Sequence, residues 1–300
     1  TRTPAIADRA PSWSPDGKWI ACFSDASGEY ALHLREQSGL GAVRKIDLGS
    51  PPSFFYDLSW SPDSKRIAYA DKRGSLWQLD LETAQPVKVD TDTRNRGPRA
   101  AWSPDSRWLA YVKQLANNLR AVFVYSIEDA RIAQVTDGMS DARSPDWDKN
   151  GKYLYFTAST DLGLASAGAN MSAMGHPVTR AVYLAVLGKD LPSPLAPESD
   201  EEKDDAKDKD PAKKSDGETK VAEAEKPADA ATSETKPEPK PAADTAKKKE
   251  KDAVKVVIDF EGLGQRILAL PLPEKNYGTL AAGKEGILYV LEGPQVAGGG

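Results

Sequence analysis

The sequence predicts an all-β fold, a β-propeller of which this chain supplies four to five blades. Two observations carry that prediction. First, a stretch built on Trp-Ser-Pro-Asp returns along the chain, at Trp13–Ala21, Trp60–Ala68 and Trp102–Ala110, with a worn fourth copy at Trp147–Tyr155. Its spacing of roughly 45 residues is that of a four-stranded propeller blade. Second, each of the first three copies is followed by two further strand-like runs, so every unit holds four short strands. A single blade cannot cover both its faces, and stacking against neighbours does so.

The repeat itself reads as strand, turn, strand. Proline presets the backbone at the second place of a turn, and Asp then Gly or Ser suits the next two. In the first unit, residues 5–50, Lys18–Phe23 alternates as a half-buried strand, followed by Tyr30–Leu34 and Val43–Leu48. The second unit, residues 51–91, continues through Ser75–Leu79 and Val87–Val89. The third, residues 92–137, continues through Ala121–Tyr125 and Arg131–Val135. These patterns place four-stranded antiparallel sheets on residues 11–50, 55–91 and 98–137.

The fourth unit opens at residue 138 and departs from the pattern. Its strand Tyr153–Phe156 leads into a long loop rich in Ala, Gly and Met, Asp161–Pro177, and then the strand Arg180–Leu187. From Pro192 to Asp252 the composition turns to Lys, Glu, Asp, Ala, Pro, Ser and Thr, with no aromatic residue. Such a segment has too little apolar surface to offset its ordering entropy and is expected to be disordered. It reads as a surface insertion, with a docking tail as the rarer use of such a segment. Strand patterning resumes at Val254–Phe260, then Gln265–Leu270, Tyr277–Leu280 and Gly286–Leu291. The expected organisation is therefore blades over 1–191, an insertion within a blade over 192–252, and more propeller over 253–300. The fourth sheet should join 145–188 to 254–270, with 254–260 paired beside 180–187.

The 300 residues carry a formal net charge of −5, which gives no support for nucleic-acid binding. No apolar run reaches the length of a membrane span. Thr1-Arg2-Thr3-Pro4 is neither a signal peptide nor an initiator sequence. The chain reads as a fragment cut at both ends, its first residues the tail of a strand from another blade.

The Trp-Ser-Pro-Asp turns resemble those of WD40-like and TolB-like propellers. Further stretches resemble bacterial tricorn-type proteases in particular: Phe23–Tyr30, Tyr183–Pro194 before the acidic run Glu198–Glu202, Ile258–Leu263, and Gln265–Pro271. The resemblance covers nearly the whole chain outside 192–252. It implies membership of the second, seven-bladed propeller of that family, which precedes a PDZ-like domain and a C-terminal serine-peptidase core. It implies a non-catalytic role, guiding or filtering peptides and unfolded polypeptides toward that core. It also implies partnership with the other domains of the parent chain, a homo-oligomer through the parent, and a cytoplasmic location, with the periplasm as the alternative. The family's catalytic residues match no position here. The rival reading is a TolB-like binding scaffold with no peptidase attached.

The residues that could carry chemistry give no catalytic, cofactor or metal site. A hydrolytic triad needs a nucleophile, base and orienting acid in contact, and the imidazoles number two, His33 and His176. His33 lies mid-strand as a packing or surface residue, and His176 precedes Pro177 in the loop. Cys22, the single cysteine, reads as a small buried side chain. Gly278–Lys284 imitates the start of a phosphate-binding loop, but Glu285 stands where a Ser or Thr belongs. Asn170-Met171-Ser172 fits a glycosylation sequon. Trp13, Trp60, Trp102 and Trp147 read as structural, an aromatic ligand cage being the less economical alternative. Asp25, Glu29, Asp57 and Asp71 could face a propeller mouth, though solvated loop charges are the simpler reading.

Overall fold

The computed structural model describes residues 4–94, 98–162, 178–196 and 254–293. The chain divides into two units, Thr1–Leu195 with Ala253–Gly300, and Ala196–Asp252, and the described strands lie in the first. The expectations for the insertion, for the loop with His176 and Asn170–Ser172, and for both chain ends fall mostly or wholly outside the described residues.

The strands form successive antiparallel sheets in which each lies beside its neighbour in sequence. The first sheet is β1 (Asp8–Trp13), β2 (Trp19–Ser24), β3 (Ala31–Glu36) and β4 (Arg44–Ile46). The second is β5 (Phe55–Trp60), β6 (Arg66–Asp71), β7 (Ser75–Asp80) and β8 (Gln85–Thr91). The third is β9 (Ala100–Trp102), β10 (Trp108–Gln114), β11 (Arg120–Ser126) and β12 (Arg131–Gln134). The fourth is β13 (Asp141–Trp147), β14 (Tyr153–Ser159), β15 (Ala181–Val186) and β16 (Ile267–Ala269). A two-stranded sheet, β17 (Tyr277–Ala282) and β18 (Leu288–Glu292), follows. The chain is thus an all-β protein of propeller blades.

The cores lie between consecutive sheets. Ala21, Phe23, Leu32 and Leu34 of the first pack with Trp60, Ile67, Tyr69 and Leu79 of the second. Ala68 and Leu76, on the second sheet's other face, pack with Trp102, Leu109 and Tyr111. Because side chains alternate across a strand, β6 sends Ile67 and Tyr69 to one core and Ala68 to the next. Middle strands therefore read as unbroken apolar runs.

The repeat turn closes as its chemistry requires. Gly17, Ser64 and Ser106 donate their backbone N–H to the carbonyls of Ser14, Ser61 and Ser103, each at 2.9 Å. The same serine hydroxyls donate to Asp16, Asp63 and Asp105 at 2.6, 2.5 and 2.6 Å. The tryptophans bind blade to blade. Trp60 Nε1 donates to the Ser12 carbonyl at 3.2 Å, Trp102 Nε1 to Ser59 at 3.2 Å and Trp147 Nε1 to Ala101 at 3.0 Å. Each indole thus reaches the residue just before the preceding blade's tryptophan. These bonds give the three tryptophans a structural role.

One expected strand is absent. Residues 254–260 form no ladder, and Ile267–Ala269 takes the place beside β15, with Tyr183 opposite Ala269 and Ala185 opposite Ile267. The alternation in 254–260 is real, since Val256 and Ile258 are buried in the core between the third and fourth sheets. The backbone bonds of this extended segment go elsewhere. Val256 N–H donates to Asp105 Oδ2 at 2.8 Å and Asp259 N–H to the Leu187 carbonyl at 3.0 Å. Arg266 clamps the segment by donating to the carbonyls of Val186, Glu261, Leu187 and Asp259.

Candidate functional site

The first strands of successive sheets, β1, β5, β9, β13 and β17, lie against one another and form the hub. Three of them carry the same irregularity. The ladder register slips between Arg9 and Ser12, between Tyr56 and Ser59, and between Arg143 and Asp146. Ala10, Asp57 and Ser144 sit inside these bulges with φ of 50, 54 and 51°. Bulges leave a residue outside the ladder and re-aim its neighbours. Here they turn main chain and side chains onto the hub, three or four residues before each repeat tryptophan.

Between the first two blades this arrangement leaves a cavity of about 580 Å³, lined by Arg9, Phe55, Tyr56, Asp57, Asp71 and Lys72 among others. Tyr56 and Asp57 are exposed, as is Arg9. Beside it, Lys72 Nζ lies 5.3 Å from the centroid of the Phe54 ring, and Phe54 lies 5.4 Å from Tyr30. The surface is mixed, with aromatic faces, two cations and one free carboxylate.

The acidic residues singled out in the sequence separate. Asp57 sits on its bulge and lines the cavity. Asp25 accepts the Ala7 N–H at 2.8 Å, and Glu29 is exposed. Asp71 is no solvated charge: it is buried, and its carboxylate accepts the N–H groups of Arg73 and Ser75 at 2.9 Å and the Trp77 indole at 3.0 Å. Three hydrogen-bonding groups of one corner converge on it, so it organises the β6–β7 turn.

His33 and Cys22, distant in sequence, stand directly opposite each other on β3 and β2. Both are buried, and burial pushes the Cys22 thiol up and the His33 imidazole down from their ordinary values. A buried thiol that resists ionisation is a packing residue. Neither imidazole nitrogen of His33 has a hydrogen-bond partner among the described residues. The phosphate-loop imitation at Gly278–Lys284 is β17 and its hairpin. Gly283 leaves room for the Tyr289 ring, which would lie 2.6 Å from an added Cβ. Among the described residues no cluster of His, Cys, Asp or Glu could hold a metal ion, and no helix is long and apolar enough to cross a membrane.

Sequence reasoning missed the arginines of the hub. Arg9 and Arg143 both stand four residues before a repeat tryptophan, where Tyr56 stands in the second blade. Aligning the units on Trp13, Trp60 and Trp147 exposes this correspondence. Behind Arg143, Asp141 gathers Arg120 and Arg180 as well.

A model of the family described as the tricorn protease second beta propeller domain matches residues 1–297. The chain is 24% identical over 293 residues to Tricorn protease homolog 1 of Streptomyces coelicolor, spanning 96% of this chain and 24% of that protein. It is 24% identical over 128 residues to the Tricorn protease homolog of Saccharolobus solfataricus, spanning 43% of this chain and 12% of that protein. A crystal structure of the tricorn protease shares the fold with a TM-score of 0.63 at 16% identity, over 94% of this chain and 23% of that one. The chain therefore spans 24% and 23% of the length of these fuller matches.

Proposed function

Because the chain belongs to the family of tricorn protease second β-propeller domains, we propose that it guides and filters peptides toward a proteolytic core elsewhere in a tricorn-like serine peptidase. The family match along almost the whole chain is the observation that carries this reading. The hub suits the role. Its bulges present main chain, and the cavity beside them mixes aromatic, cationic and acidic side chains. A wall of this kind meets an extended chain of any sequence, whereas a folded protein is held off by its size. The propeller contributes passage and selection, and the chemistry belongs to the core.

The test compares the full-length parent with a version lacking this propeller, on short peptides and on a folded protein. The parent should cleave the peptides and spare the folded protein, and removal should erode that discrimination. Unchanged discrimination would replace the filter with a scaffold role.

A further inference from the structure

We propose that Arg120 and Arg143, gathered with Arg180 on Asp141, form a receptor for an acidic side chain of an extended peptide. The inference rests on the peptide-guiding reading and adds a selectivity to it.

Three guanidinium groups share one carboxylate. Arg180, with 5% of its side chain exposed, donates to Asp141 Oδ2 at 2.9 Å and to the Asp141 carbonyl at 2.8 Å. Arg143 Nε donates to the same Oδ2 at 2.9 Å. Arg120 Nη1 reaches the two carboxylate oxygens at 3.4 and 3.5 Å. Asp141 itself is wholly buried, and its Oδ1 also accepts the Arg120 N–H at 3.2 Å. Among the described residues one negative charge thus faces three positive ones, leaving two in excess.

The excess sits where a ligand can reach it. Arg180 is committed, since both its bonds are short and its side chain is enclosed. Arg143 spends Nε alone, and its two terminal nitrogens make no hydrogen bond among the described residues. Its side chain is 39% exposed, on the first strand of its blade. Arg120, 24% exposed, holds Asp141 at the long edge of hydrogen bonding, a bond easily exchanged for a better one. Burial and the neighbouring Arg143 both weaken the hold of Arg180 on its proton, which Asp141 opposes. The cluster is thus short of negative charge.

A carboxylate fits this shortage in shape as well as sign. A guanidinium presents paired N–H groups that match the two oxygens of a carboxylate, and such charge-assisted bonds are the stronger kind. Because Arg143 lies on the wall of the hub, a passing chain presents its side chains to it rather than its end. The expected ligand is therefore Asp or Glu within an extended segment.

The test measures binding of labelled, C-terminally amidated decapeptides to the full-length parent by anisotropy, with peptide integrity followed by mass spectrometry. Two peptides differ by one central Glu or Gln. The Glu peptide should bind about tenfold more tightly, a gap of one charge-assisted contact, and added salt should narrow it. Arg143→Gln should close the gap, and Arg143→Lys should restore part of it, which a merely structural arginine would not do. Arg120→Gln, with thermal melts confirming the fold of each variant, gives the same reading from the third blade. Equal binding of the two peptides by the unaltered protein overturns the receptor and leaves the guiding reading standing. A preference that follows a free C-terminal carboxylate and ignores the internal Glu also overturns it. Failure of both peptides to bind overturns the guiding reading and the receptor together.

Discussion

The backbone N–H of Val256 donates to Asp105 Oδ2 at 2.8 Å, joining residues 151 positions apart. The neighbouring junctions use a different partner at the same turn. There the N–H of Asp16 donates to Ser64 Oγ and that of Asp63 to Ser106 Oγ, each at 3.1 Å. The next blade should supply such a hydroxyl at position 151, but Gly151 stands there. Its missing side chain leaves the space through which Val254 and Val256 pass, 2.9 and 3.0 Å from where a Cβ would lie.

Gly151→Ala should therefore destabilise the protein by about 2–4 kcal/mol, combining a left-handed backbone strain with overpacking. Gly17→Ala shares the same φ of +72° but meets nothing within 4 Å. It should cost only the strain, about 1–2 kcal/mol. Urea melts of the two variants check the difference. Equal losses would mean that Val254 and Val256 yield without penalty.

The indole bonds make a second prediction. Trp102→Phe keeps an aromatic ring in the core but leaves the Ser59 carbonyl without its donor, at a cost of about 1–2 kcal/mol. Trp13 is the equivalent residue of the first blade, yet it is 55% exposed, while Trp60, Trp102 and Trp147 are 8, 8 and 1% exposed. Trp13→Phe should fall within about 0.5 kcal/mol of the unaltered protein. Chemical denaturation of both variants separates the two cases, and a large loss at Trp13 would show that its indole is engaged.

The fold was legible because the repeat states its own geometry. Ser-Pro-Asp fixes the turn locally, and the tryptophan fixes one face of each blade. What failed to show were relationships decided by packing between units. Val254–Phe260 has the alternation of a strand, and Val256 and Ile258 are buried as that pattern demands. Whether an extended segment joins a ladder depends on which edge it meets, and Arg266 and Asp105 draw this one away. Asp71 looked like a loop charge because the three donors that enclose it come from Arg73, Ser75 and Trp77, two by backbone and one by indole. The hub arginines were visible only as a shared offset from tryptophan, a signal that needs the units aligned.

Arg266 gives a third prediction. It donates to four carbonyls spread over Val186–Leu187 and Asp259–Glu261, with no carboxylate among them. Arg266→Met keeps much of the stem and removes every donor. Loss of bonds to a charged donor should cost about 2–3 kcal/mol. Hydrogen exchange should show the loss first at the Asp259 amide, which bonds the Leu187 carbonyl. Protection unchanged at that amide would mean that Val256 and Ile258 hold the segment by packing alone.

His33 makes stability depend on pH in a defined direction. Its imidazole is 1% exposed, and neither nitrogen has a partner among the described residues. Burial, with Lys45 and Arg35 adding to it, lowers the folded-state value below the ordinary 6.5, while Asp8 acts the other way. The unfolded chain therefore binds a proton at a pH where the folded one does not, and stability rises with pH across that interval. The contribution is complete above 6.5 and is lost as the pH falls from there toward the folded-state value. His33→Leu fills similar space, removes two orphaned polar atoms and cannot take a proton. Urea melts at pH 7.5 and 5.5 should show a smaller decline for the variant than for the unaltered protein. At pH 7.5 the variant should be at least as stable, because no bond is lost. A decline of equal size in both would place the acid sensitivity in other groups and leave His33 silent.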